Sequence, residues 1–160
     1  MENLRTNNRR KVQITLFFCC TSFFMASLFS QKTDEAAIEE LLKNETEAFT
    51  QKPIAEIVQE FWVLDEQTLM SVTLHDGQVI NDNKEALLKQ TTLYPSDKVK
   101  EVEKTDHFIH VNGNMAFASH EQAMTYVETN LKIYSHELRI LQKTENGWKI
   151  HISSVHHYKR

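Results

Sequence analysis

Polar side chains that could carry acid–base chemistry concentrate in the last third of the chain, on segments that alternate as β-strands do. Because alternate residues of a strand share a face, seven of these side chains fall on one face of a predicted sheet: His107, His120, Gln122, Tyr126, Glu137, Arg139 and His156. Carboxylates and imidazoles that face a half-dry cavity can transfer protons. Asp65 follows a predicted helix near Trp62 and could reach the same cavity and pair with a histidine. The candidate catalytic residues are therefore His120, Glu137, His156 and Asp65.

The same face predicts a ligand site centred on Arg139. A guanidinium is permanently charged, and burying it without a partner is costly. Arg139 must therefore meet Glu137, another acid such as Asp65, or an anionic ligand. The predicted ligand-binding residues are Trp62, His107, His120, Gln122, Tyr126, Glu137 and Arg139. The competing interpretation is that Glu137 and Arg139 form a satisfied structural pair and that the histidines are ordinary strand residues.

Long strands rich in β-branched and aromatic residues must position this face. They are predicted at Val99–Val111, Asn114–Val127, Leu131–Lys143 and Trp148–Tyr158. The Asn146-Gly147 turn between the last two is a strong hairpin signal. With turns of even length and no β-bulge, Arg139 lies opposite both His120 and Ile152. A bulge would invert part of this assignment.

Helical patterns precede these strands and imply an α+β fold with the helices on one face of the sheet. Asn81 or Asp82 is the predicted cap of the last helix. The predicted helices are Thr33–Gln51, one that starts at Pro53, and Lys84–Gln90, with a short hairpin at Leu69–Leu74 and Gln78–Ile80.

The opposite face of the sheet is also largely apolar, which predicts that a second copy of the chain covers it. The expected partner is thus a homodimer through this outer face. Its predicted residues are Phe108, Met115, Phe117, Ala123, Val127, Tyr134, Leu138, Ile140 and Val155, with His110, His136 and Glu121.

Helices, a small hairpin and a four-stranded sheet that ends in Gly147-Trp148-Lys149-Ile150 resemble the NTF2-like superfamily, also called SnoaL-like or ketosteroid-isomerase-like. The resemblance covers roughly Asp34 to Tyr158. The segments Glu137–Leu141 and Asn146–Lys149 are similar to the final hairpin of the association domain of calcium/calmodulin-dependent kinase II. The matching arginine of that relative lines a deep pocket, which favours a cavity position for Arg139.

The resemblance implies a cone in which three N-terminal helices lie across a curved, mostly antiparallel sheet, with a pocket between them and dimers formed through the outer face. It implies a domain that binds a small organic ligand, including one that bears a carboxylate, or that acts as an interaction module. The alternative is a SnoaL-like acid–base enzyme, an isomerase, cyclase or dehydratase, on a polyketide- or steroid-like substrate. Fold alone does not choose between these functions.

The first thirty residues have the pattern of a secretory signal peptide. Basic residues from Arg5 to Lys11 precede the apolar run Val12–Phe29, and small residues lead to expected cleavage near Ser30. Residues 31–160 would then form one secreted or periplasmic domain, whereas an uncleaved segment would anchor it in the membrane. Both cysteines, Cys19 and Cys20, lie in this segment, so the mature domain would have no disulfide.

The charge of the remaining chain limits the class of partner. The whole chain has 18 basic and 22 acidic residues, and residues 1–30 hold four of the basic ones but only one acidic one. The rest is strongly acidic, which argues against nucleic acid or an anionic membrane as partner. No metal and no cofactor are expected, because His156 and His157 point to opposite faces and the chain has no phosphate-binding glycine loop.

Overall fold

The computed structural model describes residues 33–91, 99–127 and 129–160. The predicted signal peptide and its two cysteines lie outside these residues. Residues 37–160 belong to one unit, and the helical residues 33–36 belong to a separate N-terminal unit. Helix α1 covers residues 33–49, α2 is Ile54–Phe61 and α3 is Lys84–Leu88. No helix among the described residues is long and apolar enough to cross a membrane.

Six strands form one curved, unclosed sheet in the order β2-β1-β6-β5-β4-β3. All neighbouring strands are antiparallel except β1 and β6, which run parallel. The α+β class and the four long C-terminal strands are thus confirmed. The strands are β1 Leu69–Thr73, β2 Val79–Asn83, β3 Val99–Asn112, β4 Met115–Tyr126, β5 Lys132–Thr144 and β6 Gly147–Tyr158.

The final hairpin closes through the turn that the sequence marks. Gly147 has a φ of +100°, a conformation that glycine adopts without steric cost. Thr144 pairs with Gly147, and its Oγ1 donates to the Gly147 carbonyl at 2.8 Å. The predicted pairing of Lys143 with Trp148 is confirmed.

A β-bulge at His151 changes the face of the second half of β6. Leu141 pairs with Ile150, but Ile140 pairs with Ile152, so His151 is an extra residue. The predicted pairing of Arg139 with Ile152 is therefore wrong, because Arg139 lies opposite Ser153. Every β6 residue after the bulge lies on the face opposite to the one predicted.

The register of β4 against β5 also differs from the prediction, in this case by two residues. His120 lies opposite Glu137 and not opposite Arg139. The difference arises at the connection, where the Tyr126 amide donates to the Leu131 carbonyl at 2.9 Å around a longer turn than expected. A shift of two residues keeps each side chain on its face, so the grouping of these residues is preserved.

A second bulge interrupts β3 between Thr105 and Phe108, where Asp106 has a φ of +53°. Before this bulge Lys104 pairs with Gln122, and after it Ile109 pairs with Ala118. Lys104 therefore lies on the same face as Gln122, a placement that simple alternation along β3 does not give.

The helices cover one face of the sheet, which includes Gln122, Glu137 and Arg139 and which we call the inner face. Amphipathic α2 follows Pro53, a residue tolerated at a helix start, and buries five of its eight residues. Asn83 caps α3 by accepting from the Ala86 amide at 3.0 Å, so the predicted caps Asn81 and Asp82 are wrong. The core combines helical with strand residues, among them Ile38, Leu42, Val58, Ala118, Leu141 and Ile150.

The outer face, on the opposite side of the sheet, keeps partly exposed aromatic and aliphatic side chains. Phe108 is 55% exposed and contacts Phe117 edge to face at a centroid distance of 6.2 Å. Val155 was predicted here, but the bulge at His151 turns it to the inner face, where it is buried.

Candidate functional site

A cavity of about 400 Å³ opens between the helices and the inner face. Most of its lining is apolar, which suits the body of a small organic molecule. One end of the cavity is polar and charged, and this end holds Arg139 and Glu137. The apolar lining includes Phe49, Ile54, Val58, Met70, Met124 and Val155, together with Trp62.

Arg139 is the centre of the charged end. Its Nη2 donates to Glu137 Oε2 at 2.8 Å, and its Nη1 lies 3.5 Å from Glu45 Oε1. The guanidinium carbon also lies 6.0 Å from the centre of the Trp62 ring. Glu45, Glu137 and Arg139 are each at most 5% exposed. Alternation along β5 places Glu137 and Arg139 on one face, and α1 supplies Glu45 from above.

Two residues of β4 contact the Glu137 carboxylate, one by a hydrogen bond and one at ion-pair distance. Gln122 Nε2 donates to Glu137 Oε1 at 2.9 Å, and His120 Nε2 lies 3.2 Å from Glu137 Oε2. His120 is 1% exposed and is not among the residues that line the cavity. His120 therefore contacts Glu137 on the side away from the cavity and does not face the space that a ligand would occupy.

These contacts determine the ionisation of the cluster. Burial by itself raises the pKa of Glu137, but the charge of Arg139 and the nearby imidazole of His120 outweigh it and hold that pKa well below its ordinary value of 4.5. Burial would lower the pKa of Arg139, yet Glu45 and Glu137 raise it. Burial lowers the pKa of His120 despite Glu137, so its imidazole is neutral at pH 7.

These shifts make the folded state sensitive to acid. The folded pKa of Glu137 is below its unfolded value, so its contribution to stability is complete above pH 4.5 and is lost as pH falls through the folded pKa. His120 acts in the same direction, beginning at its ordinary value of 6.5, because the unfolded chain binds the proton more readily.

Arg139 keeps hydrogen-bonding capacity that the protein does not use. Among the described residues its Nε and Nη1 have no hydrogen-bond partner, and neither does Ser153 Oγ on the opposite strand. Glu45 is near enough to Nη1 for an ion pair but does not have hydrogen-bond geometry. Because buried polar groups normally find partners, these N–H groups indicate a place for a ligand acceptor or for water.

Lys104 adds an amine to the same end of the cavity. Its Nζ donates to Thr46 Oγ1 at 2.6 Å, and that hydroxyl in turn donates to the Leu42 carbonyl at 2.7 Å. Burial lowers the pKa of Lys104, although the charges of Glu137 and Glu45 act in the opposite direction.

Sequence reasoning missed Glu45, Thr46 and Lys104. Glu45 falls on the apolar stripe of α1 with Ile38, Leu42 and Phe49, so a buried carboxylate on a helix face was the available signal. Lys104 left no comparable signal, because the β3 bulge changes the face on which it lies.

Other predicted residues divide between the cavity and the surface. Tyr126, Gln122 and Trp62 line the cavity. His156 is exposed and its Nε2 lies 3.1 Å from Ser154 Oγ. The prediction that His156 lies on the inner face is wrong, because the β6 bulge places His157 on that face instead.

Asp65 and His107 do not line the cavity either. Asp65 Oδ1 lies 2.9 Å from Nε2 of His151, the bulged residue of β6, so it does pair with a histidine, but away from the predicted site. His107 is exposed and its ring stacks on His120 at a centroid distance of 5.6 Å. Neither residue is placed to act on a molecule in the cavity.

Comparison with known proteins places the fold. No known protein family matches the chain by its sequence, and no curated protein does. An NTF2-like protein from Cytophaga hutchinsonii has 18% identity and a TM-score of 0.56, over 77% of this chain and 97% of its own. A DUF3225 protein of unknown function from Pectobacterium atrosepticum has 18% identity and a TM-score of 0.60, over 78% and 90% of the two chains.

A third structure is a proposed dehydratase of the NTF2-like family from Streptomyces avermitilis. It has 14% identity and a TM-score of 0.62, over 81% of this chain and 99% of its own. At such identities the likeness concerns the fold. The chain therefore has the NTF2-like fold, and the activity of its site must be argued from its own residues.

The charged cluster predicts a stepwise pattern of mutant stability. Arg139→Met leaves two buried carboxylates without their cation and should cost about 3–5 kcal/mol of unfolding free energy. Adding Glu137→Gln should recover part of this loss, and adding Glu45→Gln should recover more. Urea denaturation of the single, double and triple variants measures these steps.

The exposed pair of Lys132 and Glu103, 2.6 Å apart, is the matched control. Lys132→Met should change stability little, because solvent-exposed ion pairs contribute little. Strictly additive losses across the Arg139, Glu137 and Glu45 variants would contradict the coupling of the cluster.

Proposed function

We propose that the chain is exported and that its NTF2-like fold binds a small organic molecule in the inner-face cavity, with the molecule's polar end at Arg139. The proposal includes the cone of three helices and curved sheet that the NTF2-like resemblance implies. The observation that carries it is a largely apolar cavity of about 400 Å³ that Arg139 lines, together with two buried nitrogens of Arg139 that have no hydrogen-bond partner among the described residues. Pockets with apolar walls and a few fixed polar groups are typical of small-molecule sites.

The charge of the cluster favours a neutral polar end on that molecule. Glu45 and Glu137 face Arg139 and lie close enough to influence the charge of Lys104. These two carboxylates balance Arg139 and Lys104 when the amine is charged, and they exceed Arg139 by one negative charge when the amine is neutral. A ligand carboxylate would add a third negative charge and lose its hydration, whereas a carbonyl or hydroxyl oxygen can accept from Arg139 at lower cost. We therefore propose a neutral ligand first, and the carboxylate-bearing ligand that the sequence predicts becomes the second candidate.

Acid–base catalysis is the alternative function. It is supported by the position of Glu45 and Glu137 at the cavity, and by a fold neighbour that is a proposed dehydratase. It is less favoured because Arg139 holds the pKa of Glu137 low, which makes this carboxylate a weak base at neutral pH.

Ligand binding predicts a rise in melting temperature that depends on the cavity. Matched alcohols, methyl ketones and carboxylic acids on one apolar skeleton should be tested by thermal shift. A ligand at 100 times its Kd stabilises by about 2.7 kcal/mol. Alcohols or ketones should stabilise the wild type, and Val155→Phe should remove the effect by filling the cavity.

Val79→Phe, at a 53% exposed position on edge strand β2 outside the cavity lining, is the matched control and should retain the shift. If the acids alone stabilise the wild type, and Arg139→Met abolishes their effect, the ligand is anionic. If no compound stabilises the wild type, or if Val155→Phe responds as the wild type does, the cavity is not the ligand site.

We also propose that the outer face pairs with a second copy of the chain. Half-buried Leu138 lies on this face opposite Ser119 and Ser154. Leu138→Glu should place a charge in the interface and yield monomers in sedimentation, whereas Val79→Glu, at a 53% exposed position on edge strand β2, should not. A wild type that is monomeric at high concentration would contradict the proposal.

A further inference from the structure

We propose that Lys104 is a reactive amine that takes an aldehyde or ketone ligand covalently, as an imine. The inference rests on the proposed function, since it names the chemical class of the neutral ligand. It goes further in assigning a bond-forming residue to the cavity.

The contacts of Lys104 are those of an amine and not of a paired cation. Its Nζ has one hydrogen-bond partner among the described residues, the neutral hydroxyl of Thr46. No carboxylate oxygen of the described residues lies within the 4.0 Å of an ion pair from Nζ. The exposed Lys132, by contrast, contacts Glu103 at 2.6 Å.

The hydroxyl of Thr46 fixes the amine in either protonation state. Thr46 Oγ1 gives its own proton to the Leu42 carbonyl, so it must accept from Lys104. A neutral amine still has an N–H for this bond, and its lone pair then remains available. The amine is thus held beside the cavity without an ionic partner that would need it charged.

The surroundings of Lys104 disfavour its charged form. Val102 and Met124 lie on the same face and line the cavity with it. Burial lowers the pKa of Lys104, and the positive charge of Arg139 lowers it further, while Glu137 and Glu45 oppose both. The buried imidazole of His120, whose pKa is lowered by burial, adds no positive charge at pH 7. A lysine in an apolar pocket beside another cation is the usual setting of an amine nucleophile.

The reaction needs no further reagent. The lone pair of Lys104 Nζ attacks the carbonyl carbon, and the C–N bond forms as the oxygen takes up a proton. The carbon–oxygen bond then breaks, and the oxygen leaves as water with the two protons that the amine loses. A C=N double bond remains. Imine formation is a condensation and needs no oxidant or reductant. A protonated imine would face the carboxylates of Glu45 and Glu137.

Reductive trapping tests the proposal on the intact protein. Cinnamaldehyde is the carbonyl probe, sodium cyanoborohydride converts any imine to a stable amine, and peptide mass spectrometry locates the label. Lys104 should be labelled faster than exposed Lys43 and Lys132, and at lower pH. Each unit by which a lysine pKa falls increases its neutral fraction about tenfold near neutrality.

Two variants and one matched compound complete the experiment. Lys104→Arg should lose the fast label, and Lys132→Arg should keep it. If Lys104→Arg does not fold, the distribution of label in the wild type still decides. Labelling that merely follows the exposure of each lysine overturns the proposal. Stabilisation by cinnamyl alcohol without preferential labelling of Lys104 also overturns it, while leaving the proposed function intact.

Discussion

The buried guanidinium of Arg139 is the constraint on which the site depends. It cannot lose its charge, so its position on the inner face requires negative partners from within the protein. Glu137 supplies one from the same strand and Glu45 supplies another from α1. The pairing therefore links the sheet to the helix that covers it, and the cavity lies where this link holds the two layers together.

Buried ion pairs of this kind are weak sources of stability, because desolvation offsets most of their attraction. Apolar residues in place of Glu45, Glu137 and Arg139 would fill the space with less loss of hydration. The retained charges instead define one polar end in an otherwise apolar cavity. Two buried carboxylates already face the guanidinium at that end, and Arg139 Nε and Nη1 have no hydrogen-bond partner among the described residues. Lys104, which has no carboxylate of the described residues within ion-pair distance, adds an amine to the same end.

Much of this arrangement could be predicted from the sequence because a strand repeats every two residues. The hairpin at Gly147 and the shared face of Gln122, Glu137 and Arg139 follow from turn chemistry and alternation. An error of two residues in the β4–β5 register left that face intact. The bulges in β3 and β6 could not be predicted, since neither Asp106 nor His151 has a residue type that demands one. The β6 bulge turns His156 away from the cavity, and the β3 bulge brings Lys104 to the face that lines it. Glu45 required knowledge of which helix face meets the sheet.

Titration of the Glu137 carboxyl carbon by NMR, with the signal assigned by its loss in Glu137→Gln, tests the charged cluster most directly. A carboxylate held by Arg139 and His120 should remain ionised at pH values where exposed glutamates are already protonated. Arg139→Met should move its midpoint upward. A Glu137 that titrates together with the exposed glutamates in the wild type would contradict the account, since it would show that Arg139 does not have this partner.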